Sequence, residues 1–202
     1  EIFVQEYDRH VPDRGHTVGD MIRGTIGTDY FANPNAWERW SYGNVFNWEG
    51  ARTLSGMRQD DVNPDVYWSN EYKAPNAGIY KMTINRAAKS WDQVTDFGEN
   101  GVSINVNGDR VIQFKPVGDV IYQALHGVQD VPFSAVEIRD KTSGATLTEY
   151  DVSDFYHFTR TDDDGNETTY SGGPRQLDYQ KGKIVTSAWG HQGILGIDAN
   201  NG

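Results

Sequence analysis

From Val66 onward, apolar and polar residues alternate with a period near two, in short runs separated by turn residues. VYWSNEY (66–72), GIYKMTINR (78–86), VSINV (102–106), DRVIQF (109–114) and the more apolar GDVIYQAL (118–125) read as strands. Asn107-Gly108 between the third and fourth predicts a type I′ hairpin, because both residues accept positive φ. FSAVEIRD (133–140) and ATLTEYDV (145–152) predict a second hairpin across KTSG. DFYHFTRT (154–161) and NETTYS (166–171) predict a third, and RQLDYQ (175–180) and KIVTSAW (183–189) meet around Gly182. GILGID (193–198) is the last strand. About ten short strands at regular spacing, uninterrupted by a helix of ordinary length, predict a sandwich or barrel.

The first third is patterned differently. EIFVQEYD (1–8) alternates as a strand, one suited to pair at an edge with a neighbour. Between Val11 and Asp65 the alternation is broken by Gly15, Gly19, Gly24, Gly27, Gly43, Gly50 and Gly56, which predicts loops. NPNAWERW predicts one helical turn, with Asn33 as cap, Pro34 in first position, and Trp37 and Trp40 on one face. GDMIRG predicts another short turn or helix. The expected fold is all-β: an antiparallel β-sandwich of jelly-roll type over residues 66–202, with an irregular, loop-rich arm over 1–65. Together they form one compact domain, with an alternative boundary near Asp65-Val66.

Composition narrows the classes. The 202 residues include no cysteine, which excludes disulfides and thiolate metal sites. The net charge of −11 repels phosphate backbones and anionic lipid, so neither nucleic acid nor a membrane surface is an expected partner. No apolar stretch approaches the ~20 residues that span a bilayer, so no membrane insertion is expected. An acidic surface suits neutral sugars or cations. The chain opens on Glu1 rather than Met. A removed leader fits a secreted or virion protein, and the expected location is extracellular or at a virion surface.

Candidate chemistry begins with TRTDDDGNETTYS (159–171). Calcium takes six to eight oxygens, and an EF-hand supplies them at fixed spacing around a glycine. With Gly165 set on that glycine, Asp162 and Asp164 fall on ligand positions, but Arg160 and Ser171 fall where carboxylates are needed. A plain hairpin turning at Asp164-Gly165 accounts for the stretch better. Asp162, Asp163 and Asp164 are the only metal candidates, calcium is the only candidate cofactor, and otherwise none is expected.

Of the five histidines none has HxH or HExxH spacing. Tyr156, His157 and Arg160 stand close together in sequence. A base and a cation of this kind would serve a polysaccharide lyase, which removes a proton beside a uronate carboxylate. The competing reading makes His157 a half-buried strand residue. There is no GxSxG, Walker or GxGxxG motif. Trp37, Trp40, Trp48 and Trp68 are the candidate contact residues for a glycan or a neighbouring subunit, since exposed rings stack on sugars. Core packing is the competing role for each.

EYKAPNAGIYKMTI carries Tyr72, Pro75, Gly78 and Tyr80. In this it resembles the globular heads of complement-type and tumour-necrosis-factor-like trimers, where an aromatic, a proline and Gly-x-Tyr precede a core strand. Asn107-Gly108, LDYQKGKIV and the Gly193–Gly196 stretch are similar to later features of those heads. AGIYKMTI followed by INVNGDRV is similar to jelly-roll carbohydrate-binding modules. Lys183 stands where the trimeric heads usually carry Asp, and residues 1–65 match neither group. The resemblance implies an extracellular jelly-roll sandwich. The functional expectation is a non-enzymatic surface or structural module of a virion or secreted assembly. It would contact glycans or sister subunits, as a homo-oligomer. The alternative is a polysaccharide-acting enzyme, lyase or hydrolase, on the same scaffold.

Overall fold

The computed structural model describes residues 2–5, 21–24, 38–40, 54–71, 77–99, 101–105, 110–126, 133–189 and 193–200. These are nearly all β, and every pairing between strands is antiparallel. β1 (Ile2–Gln5), β2 (Met21–Gly24) and β3 (Glu38–Trp40) form an N-terminal sheet in that order. β4 (Leu54–Gln59), β5 (Val66–Glu71), β6 (Gly78–Asn85), β7 (Ser90–Gln93) and β8 (Val102–Ile104) form the outer sheet. There the free side of β6 is shared, with β7 along Met82–Asn85 and β8 along Gly78–Tyr80.

β9 (Arg110–Val117), β10 (Val120–His126), β11 (Ser134–Asp140) and β12 (Thr146–Asp151) form the central sheet. A single helical turn, α1 (Ser153–Tyr156), leads into a two-stranded ribbon, β13 (His157–Thr161) and β14 (Glu167–Ser171). β15 (Gly173–Gln180), β16 (Lys183–Trp189) and β17 (Ile194–Asp198) make the C-terminal sheet.

The alternation of side chains explains how these sheets stack. On β10 and β11, Ile121, Leu125 and Ala135 face one way. They pack with Val66, Trp68, Ile79 and Phe97 of the outer sheet region and with Val111 and Phe114 of β9. Tyr122, Ala124, Val136 and Ile138 face the other way and pack with Leu177, Ile184 and Ile197 of the C-terminal sheet. The central sheet is therefore covered on both faces, which is why β10 and β11 are buried almost throughout. Burying a residue such as Leu125 or Ile121 contributes roughly 1.5–3 kcal/mol.

The packing is sandwich-like, as expected, with the central sheet covered on both faces. Several other expectations change. The central and C-terminal sheets are meanders of consecutive strands, and no jelly-roll order is seen among the described strands. The predicted turn residues Asn107-Gly108 lie outside the described residues. Of the strands on either side, β8 pairs with β6 in the outer sheet and β9 with β10 in the central sheet. MIRG and ERW are strands rather than helical turns, because each finds a ladder partner: Ile22 pairs with both Val4 and Arg39. β4, read as loop, pairs with β5, so that hairpin straddles Asp65-Val66. Residues 153–156 form a helical turn where a strand was expected. The KTSG hairpin, the Asp164-Gly165 hairpin and the β15–β16 pair form as expected.

Candidate functional site

Strand alternation sets the outward face of the C-terminal sheet. Gln176 pairs with Ser187 and Asp178 with Val185, and Ser187 in turn pairs with Ile194, so all five share one face. Leu177, Ile184 and Ile197 occupy the opposite, core-facing side. Beside the outward face run Arg58 of β4 and Gln113 and Lys115 of β9. Together they enclose an open groove of about 600 Å³.

Its polar groups are fixed by short links. The Lys115 ammonium pairs with the Asp178 carboxylate. Asp178 also accepts from the Tyr179 N–H at 2.9 Å and the Gln180 amide at 3.2 Å. The Lys115 ammonium first, then the Tyr179 N–H, hold its carboxyl below the usual range. Arg58 Nη2 donates to the neutral Gln113 Oε1 at 3.3 Å. Ile194 is 74% exposed at the groove wall. Such a groove, whose described residues supply cations, amides and aliphatic carbons, can hold a polar, extended ligand by its edges.

The ribbon β13–β14 is the second feature. Among the described residues it pairs with no other sheet, and Thr159 through Thr169 are exposed. Its tip answers the question of the three aspartates. The Gly165 N–H donates to the Asp162 carbonyl at 3.0 Å, and the Asp162 N–H to the Asn166 carbonyl at 3.0 Å. The Asp162 carboxylate accepts from the Asp164 N–H at 3.0 Å, the Asn166 N–H at 2.8 Å, and the Asn166 amide. The Asn166 side chain, then its backbone N–H, keep the Asp162 carboxyl below its ordinary range. Asp162 thus ties the turn together, while Asp163 and Asp164 are exposed. Among the described residues no three His, Asp or Glu side chains converge as metal ligands.

Tyr156, His157 and Arg160 are turned into different surroundings. Tyr156 is fully buried, and its hydroxyl donates to Thr186 Oγ1 at 3.3 Å. His157 Nε2 lies 3.3 Å from Ser134 Oγ, and its ring centroid is 6.3 Å from that of His126. Burial, then the His126 charge, push the His157 imidazole below its usual value, against a smaller upward pull from Asp151. Arg160 is exposed on the ribbon opposite Thr168.

Of the tryptophans, Trp37 and Trp48 lie outside the described residues, and Trp40 is placed only as the end of β3. Trp68 is corrected from contact residue to core residue. It is 1% exposed, its ring meets the Phe97 ring edge-on at 4.9 Å, and its indole N–H donates to Asp60 Oδ2 at 2.7 Å. Its position on the inward face of β5, with Val66, makes it core.

The groove residues carry no motif. Gln176 and Asp178 stand out only as the polar alternation of one strand, and nothing local brings them to Arg58. No family model matches the chain, and neither a curated protein nor a solved structure matches it.

Proposed function

We propose that this chain is a non-enzymatic surface or structural module that acts by contact, with sister subunits first and with glycans second. An extracellular or virion setting belongs to the same proposal. It does not depend on jelly-roll strand order. The observation that carries it is the β13–β14 ribbon, exposed from Thr159 to Thr169 and joined to no other sheet among the described residues. An isolated two-stranded ribbon is marginal in water, and packing against another surface is what stabilises such an element. The ribbon's polar Thr, Asp and Glu side chains keep it soluble until it docks.

Sedimentation velocity over micromolar to near-millimolar concentrations, with a glycan array in parallel, tests the reading. Concentration-dependent self-association, or selective glycan retention, is expected. A chain that stays strictly monomeric and retains no glycan overturns it. So does release of unsaturated ends from a uronate polymer, which is the signature of the polysaccharide-acting alternative.

A further inference from the structure

We propose that the acidic tip of the β13–β14 ribbon docks in the Arg58–Lys115 groove of a second copy, so that the protein assembles head to tail. The inference rests on the subunit-contact reading above and gives it a partner surface.

The groove is a cationic spot on an acidic molecule. The chain carries a net −11, yet among the described residues the groove wall holds two cations, Arg58 and Lys115, against one carboxylate, Asp178. Asp178 is already engaged by Lys115 and its own neighbours. Arg58 has only the neutral Gln113 amide among the described residues. Its guanidinium therefore keeps donors in a fork suited to a carboxylate.

The ribbon supplies the matching group. Asp162 is consumed in closing the turn, which leaves Asp163 and Asp164 exposed at the tip with carboxylates that no described residue bonds. Five residues per strand carry that tip about 17 Å along the ribbon. A narrow hairpin end is a shape that an open groove of about 600 Å³ admits. The aliphatic wall of Val185 and Ile194 offers apolar surface beside the charges.

Tip and groove are different surfaces, so the contact is heterologous. It propagates into a ring or a filament rather than closing as a two-fold dimer.

The test is sedimentation velocity of the full chain and of two variants, Arg58→Glu and Asp163→Lys/Asp164→Lys, at low and high salt. All three substituted side chains are exposed. Circular dichroism and a thermal melt identify folded variants, and Arg58→Gln with Asp163→Asn/Asp164→Asn serves as a milder pair.

Wild type is expected to associate, with oligomers beyond the dimer, and to weaken in high salt. Each variant alone should lose association by about tenfold or more. An equimolar mixture of the two should recover it. The acidic tip of one then meets the intact Arg58 of the other, while the lysine-bearing tip meets the carboxylate that replaces the guanidinium. If wild type associates and neither variant weakens it, the docking is overturned and the subunit-contact reading stands. A mixture that does not recover association also overturns it. If wild type does not associate at all, the docking is overturned together with the subunit half of the reading above, whose glycan half is then decided by the array.

Discussion

The carboxylate of Asp60 collects four donors at the turn between β4 and β5. Oδ2 accepts from the Trp68 indole at 2.7 Å and faces the Lys141 ammonium at 2.8 Å, while Oδ1 accepts from the Val62 and Asn63 N–H groups at 2.9 Å each. Burial raises the carboxyl's pKa. The hydrogen bonds from Lys141, Asn63, Trp68 and Val62 together outweigh it and hold the value at about 2, against 3.8 unfolded. Because the folded value is the lower one, the stabilisation is fully present above about pH 4 and is lost as pH falls from there through about 2. The side chain is 7% exposed, so the shift converts with little screening. At ~1.4 kcal/mol per unit it corresponds to about 2 kcal/mol. Asp60→Asn is expected to unfold about 2 kcal/mol more easily in urea at neutral pH, with the gap closing near pH 2. An equal deficit at both pH values would show that the lost carboxylate charge is not what matters. Trp68 is central to the same point. Its ring reads from sequence as either ligand platform or core, and its burial against Phe97 with the indole N–H on Asp60 decides for core.

At the scale of elements, local turn chemistry proves the most legible signal, and pairing partners the least. KTSG and DDDG both turn through a glycine with positive φ, Gly144 at +71° and Gly165 at +84°. Each loop is braced by an aspartate that accepts N–H bonds: Asp140 from Thr142 and Ser143, Asp162 from Asp164 and Asn166. That geometry is encoded within a handful of residues, so the sequence shows it. Asn107-Gly108 has equally good turn chemistry, yet β8 and β9 go to different sheets. Burial of β8 against β6 and of β9 against β10 decides there, and the competing partners are remote in sequence. The groove was invisible for the same reason, since Arg58 and Asp178 meet only through the stacking of sheets. The two glycines also separate in their surroundings. A Cβ at Gly165 meets nothing within 4 Å, whereas one at Gly144 falls 2.7 Å from Ser103 Cβ and 2.9 Å from its Oγ. Gly165→Ala should therefore cost only the left-handed backbone, about 1–2 kcal/mol. Gly144→Ala should cost that plus displacement of Ser103, raising the total to about 3 kcal/mol or more. Paired thermal melts check the order, and a Gly165→Ala deficit at least as large would contradict it.

For the whole molecule the notable asymmetry lies across the central sheet. Toward the C-terminal sheet the middle of its face is apolar, built of Tyr122, Ala124, Val136 and Ile138, with Gln113 and Lys115 of β9 polar at the groove. Toward the outer sheet, Gln123, Glu137 and Arg139 interrupt it, all at most 5% exposed. Arg139 Nε donates to Glu137 Oε2 at 3.0 Å, Nη2 to Asn105 Oδ1 at 2.7 Å, and Nη1 to Ser103 Oγ at 2.5 Å. Glu137 also accepts from the Gln123 amide and from the Thr146 hydroxyl at 3.1 Å. Ser103 and Asn105 belong to β8 and its extension, so the network joins the outer sheet to the central one. A buried ion pair is a poor source of net stability, because desolvation costs about as much as the attraction returns. The expected use of such a pair is to set how the two layers align, since an apolar interface alone tolerates sliding. Removing one partner strands the other charge. Arg139→Met should therefore cost about 3–5 kcal/mol, and Glu137→Leu combined with Arg139→Met should recover most of that. If the pair aligns the layers, the double variant should regain stability while losing cooperativity, visible as a lower denaturant m-value. A double variant no more stable than Arg139→Met would mean that Glu137 is not the group left stranded. One with full stability and an unchanged m-value would place the alignment of the layers in the apolar contacts around Trp68, Phe114 and Leu125 instead.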